Sequence, residues 1–232
     1  MPVFTITGDF DPFLHVSMCQ GEKIYCESNA MVMMEAALDL KGKMTGGIGA
    51  AIMRRFANGE SFFQQHIEAV RGDGDCLLAP TLPGALQILD VGNHQYMLSD
   101  GCFVAASDSV ELKVRTQGVG NALFAQSGGF FITETSGVGQ VAVSGFGGIS
   151  ELDVEPGRDV IIDNAHVVAW DSRLQYEISM TTGGGGGFLS NLVNSQTSGE
   201  GMVLRFSGRG KVLICSRNSA ALQSFLMRQP AQ

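Results

Sequence analysis

The feature that most constrains this 232-residue chain is a pattern that it repeats three times. Residues 38–44, 110–116 and 174–180 each alternate apolar with polar side chains. A period of two residues indicates a β-strand with one buried face and one solvent-facing side. Because the three stretches recur at a spacing of about 64 to 72 residues, they predict three consecutive β-repeats.

Each of these strands has the same neighbours along the sequence. Two short strands joined by a turn-rich segment precede it, the pattern of a β-hairpin, and a small residue then opens the long strand. A glycine cluster, a further strand, a tight turn and a last strand follow it. The predicted hairpins are 14–18 with 23–27, 86–91 with 96–99, and 152–155 with 159–163.

The prediction for the fold is an all-β chain of three tandem repeats around a pseudo-threefold axis. The repeats are 1–83, 84–147 and 148–232, and together they form one compact unit. A short C-terminal helix is expected, with Ser219 as its cap, Leu222, Phe225 and Leu226 on its apolar side, and Pro230 beyond its end.

Repeats of this size leave sheet edges without partners. A unit of about 70 residues buries a small core, and unpaired edge strands favour association with further strands. Pairing between copies in a closed ring removes those edges. We therefore predict a homo-oligomer, with a trimer as the expected state.

Composition excludes several classes of protein. The hydrophobic content is 44%, too high for a disordered chain, and no apolar run is long enough for a membrane-spanning helix. The first residues lack the pattern of a secretory signal, so a cytoplasmic location and five free thiols are expected. The net charge of −8 makes nucleic acid an unlikely partner.

The charge is unevenly distributed, because five basic residues and no acidic residue follow Glu200. Two interpretations are open. The basic strip pairs with acidic surface of the same molecule or of a neighbouring subunit, or it forms an anion-binding patch. The patch residues would be Arg205, Arg209, Lys211 and Arg217.

One segment has the pattern of a short amphipathic helix with a basic end. It packs on the end of the β-barrel, or it contacts a protein partner or a membrane surface at the rim. The candidate contact residues are Ile48, Ile52, Met53, Arg54, Arg55 and Phe56.

Catalytic and metal-binding patterns are absent from the sequence. Glycine is frequent, with 31 residues, but the clusters at 46–53, 118–124 and 183–193 lack the lysine of a phosphate-binding loop. Their recurrence favours a structural role, with a phosphate site as the alternative. The four histidines are far apart in sequence, so no cofactor, metal or catalytic residue is predicted.

Several longer segments resemble the "altered inheritance of mitochondria" biogenesis family and its prokaryotic homologues. They are 59–63 (GESFF), 78–84 (LAPTLPG), 160–170 (VIIDNAHVVAW) and 199–206 (GEGMVLRF). The resemblance covers nearly the whole chain. It implies a fold similar to the tryptophan RNA-binding attenuation protein, a shortened double-stranded β-helix that forms rings, so that a trimer would hold nine units. It implies no catalytic residue and no substrate.

Three functions are compatible with these observations. The favoured hypothesis is a non-enzymatic, ring-forming protein that works through protein contacts. The alternatives are a ring that binds a small ligand or RNA, and a metal enzyme of the cupin type. The first rests on the repeats and on the lack of a catalytic pattern, since fold analogy alone is weak evidence for function.

Overall fold

The computed structural model describes residues 1–43, 64–115, 132–180 and 202–227 of the chain. Nineteen β-strands and one short α-helix lie within these ranges, which confirms the all-β prediction. The predicted rim residues 48–56 and the three glycine clusters lie wholly or almost wholly outside the described residues.

The strands are short and follow one another closely along the chain. Their bounds are β1 (Val3–Thr7), β2 (Phe13–Met18), β3 (Lys23–Glu27), β4 (Met31–Met34), β5 (Leu38–Lys43), β6 (Gln64–Ala69), β7 (Gly74–Leu78), β8 (Gly84–Val91), β9 (Tyr96–Ser99), β10 (Phe103–Ser107), β11 (Val110–Arg115), β12 (Ile132–Gly137), β13 (Gly139–Phe146), β14 (Ile149–Val154), β15 (Val160–Asp163), β16 (Val167–Asp171), β17 (Gln175–Met180), β18 (Met202–Ser207) and β19 (Gly210–Cys215). A single 3-10 turn, Asn164–His166, joins β15 to β16, and helix α1 spans Ser219–Met227.

The strands form four antiparallel sheets. The first has the order β1-β2-β7-β4, the second β5-β6-β3-β10-β13-β8, the third β11-β12-β9-β16-β19-β14, and the fourth β15-β18-β17. The second and third sheets are each assembled from strands of two predicted repeats. The connecting pairs are β3–β10 and β9–β16, which we call the internal joints.

The hairpin prediction is wrong. Strands β2 and β3 lie in different sheets, where β2 pairs with β7 and β3 pairs with β6. The corresponding strands of the other two repeats are also separated. The turn-rich segments change the direction of the chain between sheets, and a local alternation of side chains does not specify the partner of a strand.

The small residues expected to open the long strand, at 29–30, 100–101 and 164–165, instead precede separate strands, β4, β10 and β16. In the first repeat the chain turns at residues 35–37, so that β4 lies in the first sheet and β5 in the second. The same break separates β10 from β11 and β16 from β17. Because of this break, each predicted repeat contributes strands to two sheets. Buried side chains from the two sheets pack against each other.

One irregularity recurs in three strand pairs. Met31 and Met33 pair with consecutive residues of β7, so Val32 is the extra residue of a β-bulge. Val104 and Val168 occupy the corresponding bulges of β10 and β16. The bulge thus recurs at corresponding places of the three predicted repeats. The pseudo-threefold axis and the boundaries at 83/84 and 147/148 stay predictions.

The buried side chains form three clusters. The first includes Leu14 and Ile24, and the second includes Leu98 and Phe103. The third is built around Trp170, whose ring meets those of Tyr176 and Phe206 edge-on at 5.2 and 5.4 Å between centroids. Such edge-to-face contacts add to the burial of apolar area and fix the relative positions of β16, β17 and β18.

The C-terminal helix is confirmed as α1, but its cap differs from the prediction. The Asn218 side chain, rather than that of Ser219, accepts a hydrogen bond from the Ala221 backbone N–H at 3.0 Å. No residue of α1 is buried. The helix is therefore not part of the three core clusters.

The turn between β12 and β13 requires glycine at position 137. Gly137 has φ +96, and a Cβ atom there would lie 2.3 Å from the Ser109 carbonyl oxygen. Gly157 has a similar φ of +81, but the space around it is open. The two positions separate the cost of left-handed backbone from the cost of a clash.

We expect Gly157→Ala to lower the free energy of unfolding by about 1 kcal/mol, the cost of left-handed backbone for an L-residue. Gly137→Ala should lower it by more than about 3 kcal/mol, because the backbone of Ser109 must also move. Urea unfolding followed by Trp170 fluorescence measures both. Equal losses for the two variants would contradict the contact with Ser109.

Candidate functional site

Strand β4 is an open edge of the first sheet. It pairs with β7 on one side, and the described residues supply no strand on its other side. The corresponding strands β10 and β16 have partners on both sides. The side chains reflect this difference: Val32 and Met33 are 53% and 42% exposed, whereas the corresponding residues of β10 and β16 are buried.

Strand β15 is the matching open edge of the fourth sheet. It pairs with β18, and within the described ranges no strand lies on its other side. Ile161, in the middle of β15, is 47% exposed. The corresponding residue of the first repeat, Tyr25, is buried at an internal joint, where its hydroxyl donates to the Val110 carbonyl oxygen at 2.7 Å.

The two open edges correspond to the two sides of an internal joint. At the joints, β10 pairs with β3 of the preceding repeat, and β16 pairs with β9 of the preceding repeat. Strand β4 is the counterpart of β10 and β16, and β15 is the counterpart of β3 and β9. Strand β4 thus shares its position and its bulge with β10 and β16, and β15 shares its position with β3 and β9.

Neither of the two short edge strands contains a lysine or a proline. Natural edge strands often place lysine, proline or an inward-pointing charge along the edge. Met31–Met34 has four apolar residues in succession, and Val160–Asp163 has one charge at its end. Such edges are suited to strand addition.

Of the predicted anion-patch residues, Arg205 and Lys211 lie in different sheets, whereas Arg209 lies in the turn between β18 and β19 and Arg217 follows β19. Arg205, on β18, donates from Nε and Nη2 to the Asp159 carboxylate at 2.9 and 2.5 Å. Lys211, on β19, forms an ion pair with Glu151, which raises the pKa of the lysine. The Arg217 guanidinium lies 6.0 Å from the centre of the Phe146 ring, and Arg209 is exposed. An anion-binding patch stays a prediction.

A cluster of polar side chains lies at the turn after β16. Asp171 is almost fully buried and accepts hydrogen bonds from the Arg173 backbone and side chain at 2.5–2.9 Å. His94 lies 3.4 Å from the same carboxylate. Burial alone would raise the pKa of Asp171, but the hydrogen bonds and charge of Arg173 lower it below its ordinary value.

The remaining histidines do not share a site with this cluster. His15 faces Asp75 at 3.5 Å, and His166 bonds the Cys215 carbonyl at 2.7 Å. His66 lies against the Tyr25 ring. In the part of the chain that the structure describes, no three metal-ligating side chains come together.

Four of the five thiols are buried. Burial raises the pKa of Cys26 and Cys76 to about 12, and it also raises the pKa of Cys102 and Cys215. A nucleophilic cysteine needs a lowered pKa, so these four are structural. Cys19 is exposed.

The edge residues were missed by reasoning from sequence. Met33 and Ile161 look like ordinary strand residues, because their exposure depends on which strand lies beside them. The one available signal is the replacement of two alanines, Ala105 and Ala169, by a large methionine at the corresponding position 33.

No helix in the described ranges has the length and apolarity needed to cross a bilayer, and a cytoplasmic location stays a prediction.

Comparisons with known proteins agree on one family. A family model described as mitochondrial biogenesis AIM24 matches residues 4–217. An uncharacterized protein of Streptococcus pyogenes serotype M6 is 34% identical over 232 residues, which cover 97% of this chain and 90% of that protein. A crystal structure of a Streptococcus pyogenes protein superposes with a TM-score of 0.78 at 32% identity, covering 97% of this chain and 98% of the other. Similarity to the attenuation protein stays a prediction.

We expect one of the five thiols to react rapidly with a disulfide reagent in the native protein, and all five in denaturant. Cys19 is the reactive one, since the others are buried and their raised pKa values keep them protonated near neutral pH. Cys19→Ser should remove the rapid phase. A rapid native thiol in that variant would contradict the assignment.

Asp171→Asn should lower the free energy of unfolding by about 2 kcal/mol at pH 7, because charge-assisted hydrogen bonds to Arg173 are lost. A lowered pKa in the folded state stabilises above the unfolded value, near 4, and this contribution disappears as the pH falls through the folded value. The difference between variant and native protein should therefore shrink at acidic pH.

Urea unfolding at pH 7 and below pH 4 measures this difference. Asp153→Asn is the control, because Asp153 is exposed on β14 and should change stability by less than about 0.5 kcal/mol. A loss for Asp171→Asn that is independent of pH would show that the charge of this carboxylate is not what stabilises the turn.

Proposed function

Since this chain belongs to the mitochondrial biogenesis AIM24 family, we propose that it is a non-enzymatic protein that assembles with copies of itself into a closed ring. The carrying observation is the pair of open edges, β4 and β15, which have the form of a separated internal joint. The proposed interface is an antiparallel pair between β4 of one copy and β15 of the next.

The internal joints define the register of this interface. At the joints, Ala105 pairs with Cys26, and Ala169 pairs with Leu98. Counting from the shared bulge, the corresponding pair is Met33 of one copy with Ile162 of the neighbouring copy. Met34 would then lie opposite Ile161 of the neighbouring copy. This register buries the exposed side chains of both edges.

The interface is heterologous, because the two surfaces differ. Heterologous interfaces produce a closed ring when the rotation between copies closes, and an open filament when it does not. The family resemblance implies three copies, which together hold nine repeats. In such a ring every β4 would pair with the β15 of a neighbouring copy. Backbone hydrogen bonds and apolar burial would stabilise it, since both edges are apolar.

The proposed role of the ring is to present repeated surfaces to other molecules. A role in binding is compatible with the raised pKa of the buried thiols and with the lack of a metal-ligating cluster among the described residues. The rim segment 48–56, which lies outside the described residues, would occur once per copy. We propose protein partners or a membrane surface for it.

Two single substitutions test the edges separately. Met33→Lys should block β4 and leave β15 intact, and Ile161→Glu should block β15 and leave β4 intact. Each side chain is exposed, so each variant should keep its fold. We expect the unmodified protein to have the mass of about three chains, and each variant alone to have the 24.6 kDa mass of one chain.

An equimolar mixture of the two variants distinguishes heterologous from symmetric pairing. One intact β15 and one intact β4 remain, so the mixture should form a dimer and stop there. Light scattering after size exclusion measures the masses, and Val138→Lys, at an exposed site away from both edges, should leave the assembly unchanged.

Three results would overturn the proposal. A monomeric unmodified protein at micromolar concentration would remove the ring. An oligomer that survives both substitutions would place the interface elsewhere. Dimers of either variant alone would indicate symmetric pairing of identical edges.

A further inference from the structure

Helix α1 presents apolar side chains to solvent. Phe225, Leu226 and Met227 are about 70% exposed, and Leu222 is also exposed. An isolated helix of nine residues is marginal in water, because nucleation is costly and few hydrogen bonds follow it. The sequence nevertheless specifies a cap and an apolar side, so α1 has the features of a helix that packs on a surface.

The chain enters α1 at a defined place. Ser216 exchanges hydrogen bonds with Gly148: its N–H donates to the Gly148 carbonyl, and its hydroxyl accepts from the Gly148 N–H, both at 2.9 Å. The Arg217 N–H donates to the Phe146 carbonyl at 3.1 Å. The end of the third repeat is thus held beside the connection between β13 and β14.

The first two predicted repeats indicate which strand begins near the end of β19. After β7 the chain reaches the first strand of the next repeat, β8, through residues 79–83. After β13 it reaches β14 through residues 147–148. The first strand of a following repeat therefore begins within a few residues of the last strand of the preceding repeat.

In the proposed ring, the repeat that follows β19 is the first repeat of the neighbouring copy. Its first core strand is β2, which begins at Phe13, and the loop 8–12 precedes it. Helix α1 begins four residues after Cys215, so it would start beside that loop. This step rests on the proposed function.

The loop 8–12 exposes apolar side chains on which the apolar side of α1 can pack. Phe10 is 93% exposed at its tip, and Phe13 is partly exposed at its base. Asp9 and Asp11 flank Phe10, while Arg217 precedes the helix. Both surfaces expose apolar side chains, and Arg217, two residues before the uncharged helix, is opposite in charge to Asp9 and Asp11.

We propose that α1 of one copy docks on the loop 8–12 of the neighbouring copy, with Phe10 against the apolar side of the helix. The helix then acts as a clamp across the β4–β15 interface, and each copy both gives and receives one helix. The partner is a second copy of this chain, because the loop 8–12 of that copy lies where the repeat that follows β19 in the proposed ring begins.

Removal of residues 219–232 separates this role from a role in folding. No described residue of α1 is buried, so the truncated chain should keep the Trp170 emission and the unfolding midpoint of the intact monomer. The concentration at which the ring half-dissociates should rise at least tenfold. A lowered unfolding midpoint of the monomer would show that α1 packs on its own chain, and an unchanged dissociation would show that it clamps nothing. Either result overturns the proposal.

Cross-linking between two differently tagged chains tests the contact itself. In a Cys19→Ser background, one chain has Phe10→Cys and the other has Phe225→Cys, and a short bis-maleimide is added to the mixed assembly. We expect a covalent dimer with both tags, and none when Val138→Cys replaces Phe10→Cys, because Val138 is exposed but lies in another repeat.

The masses of the same samples distinguish the two possible failures. An intact oligomer without the cross-link overturns the docking of α1 and leaves the ring proposal standing. A monomer overturns both. A cross-link formed within one chain of a Phe10→Cys/Phe225→Cys double variant, at the mass of a monomer, overturns the docking between copies.

Discussion

The antiparallel pairing of β10 with β3, and of β16 with β9, is the interaction on which the rest of the structure depends. Each predicted repeat has about 70 residues and buries only a small core, and the pairing joins strands of neighbouring predicted repeats into common sheets. Tyr25 illustrates the coupling: it stacks on Phe103 at 5.6 Å between ring centroids and bonds the Val110 carbonyl, so that it contacts β10 and β11 at once.

Strands β4 and β15 are the counterparts of these joint strands, but each of them is the edge of its sheet in the described residues. In the described residues, both internal joints are complete, whereas β4 and β15 each have a partner strand on one side only. Exposed apolar side chains lie on these two edges, at the loop 8–12 and on α1, and also on β1 and at Val138. The exposed side chains of the two edges, of the loop and of the helix are the basis of the proposed association between copies.

Two charged groups are paired within the chain, and four thiols are buried. Asp171 and Arg205 form close ion pairs within the chain, and burial keeps four thiols protonated at neutral pH. A catalytic site collects groups with pKa values shifted toward neutrality. Here the shifts move away from neutrality, since the carboxyl of Asp171 becomes more acidic and the thiols of Cys26 and Cys76 become less acidic.

The sequence alone determined the all-β class, the family, the positions of most described strands and the helix at Ser219–Met227, because side-chain alternation, turn residues and capping are local properties. It did not determine partners: β2 and β3 look like a hairpin yet lie in different sheets, and Met33 looks like a core residue yet is exposed. Tertiary structure decided these points. The alternation of side chains along a strand specifies which face is buried, whereas the strand that pairs with it depends on where the fold places the other strands.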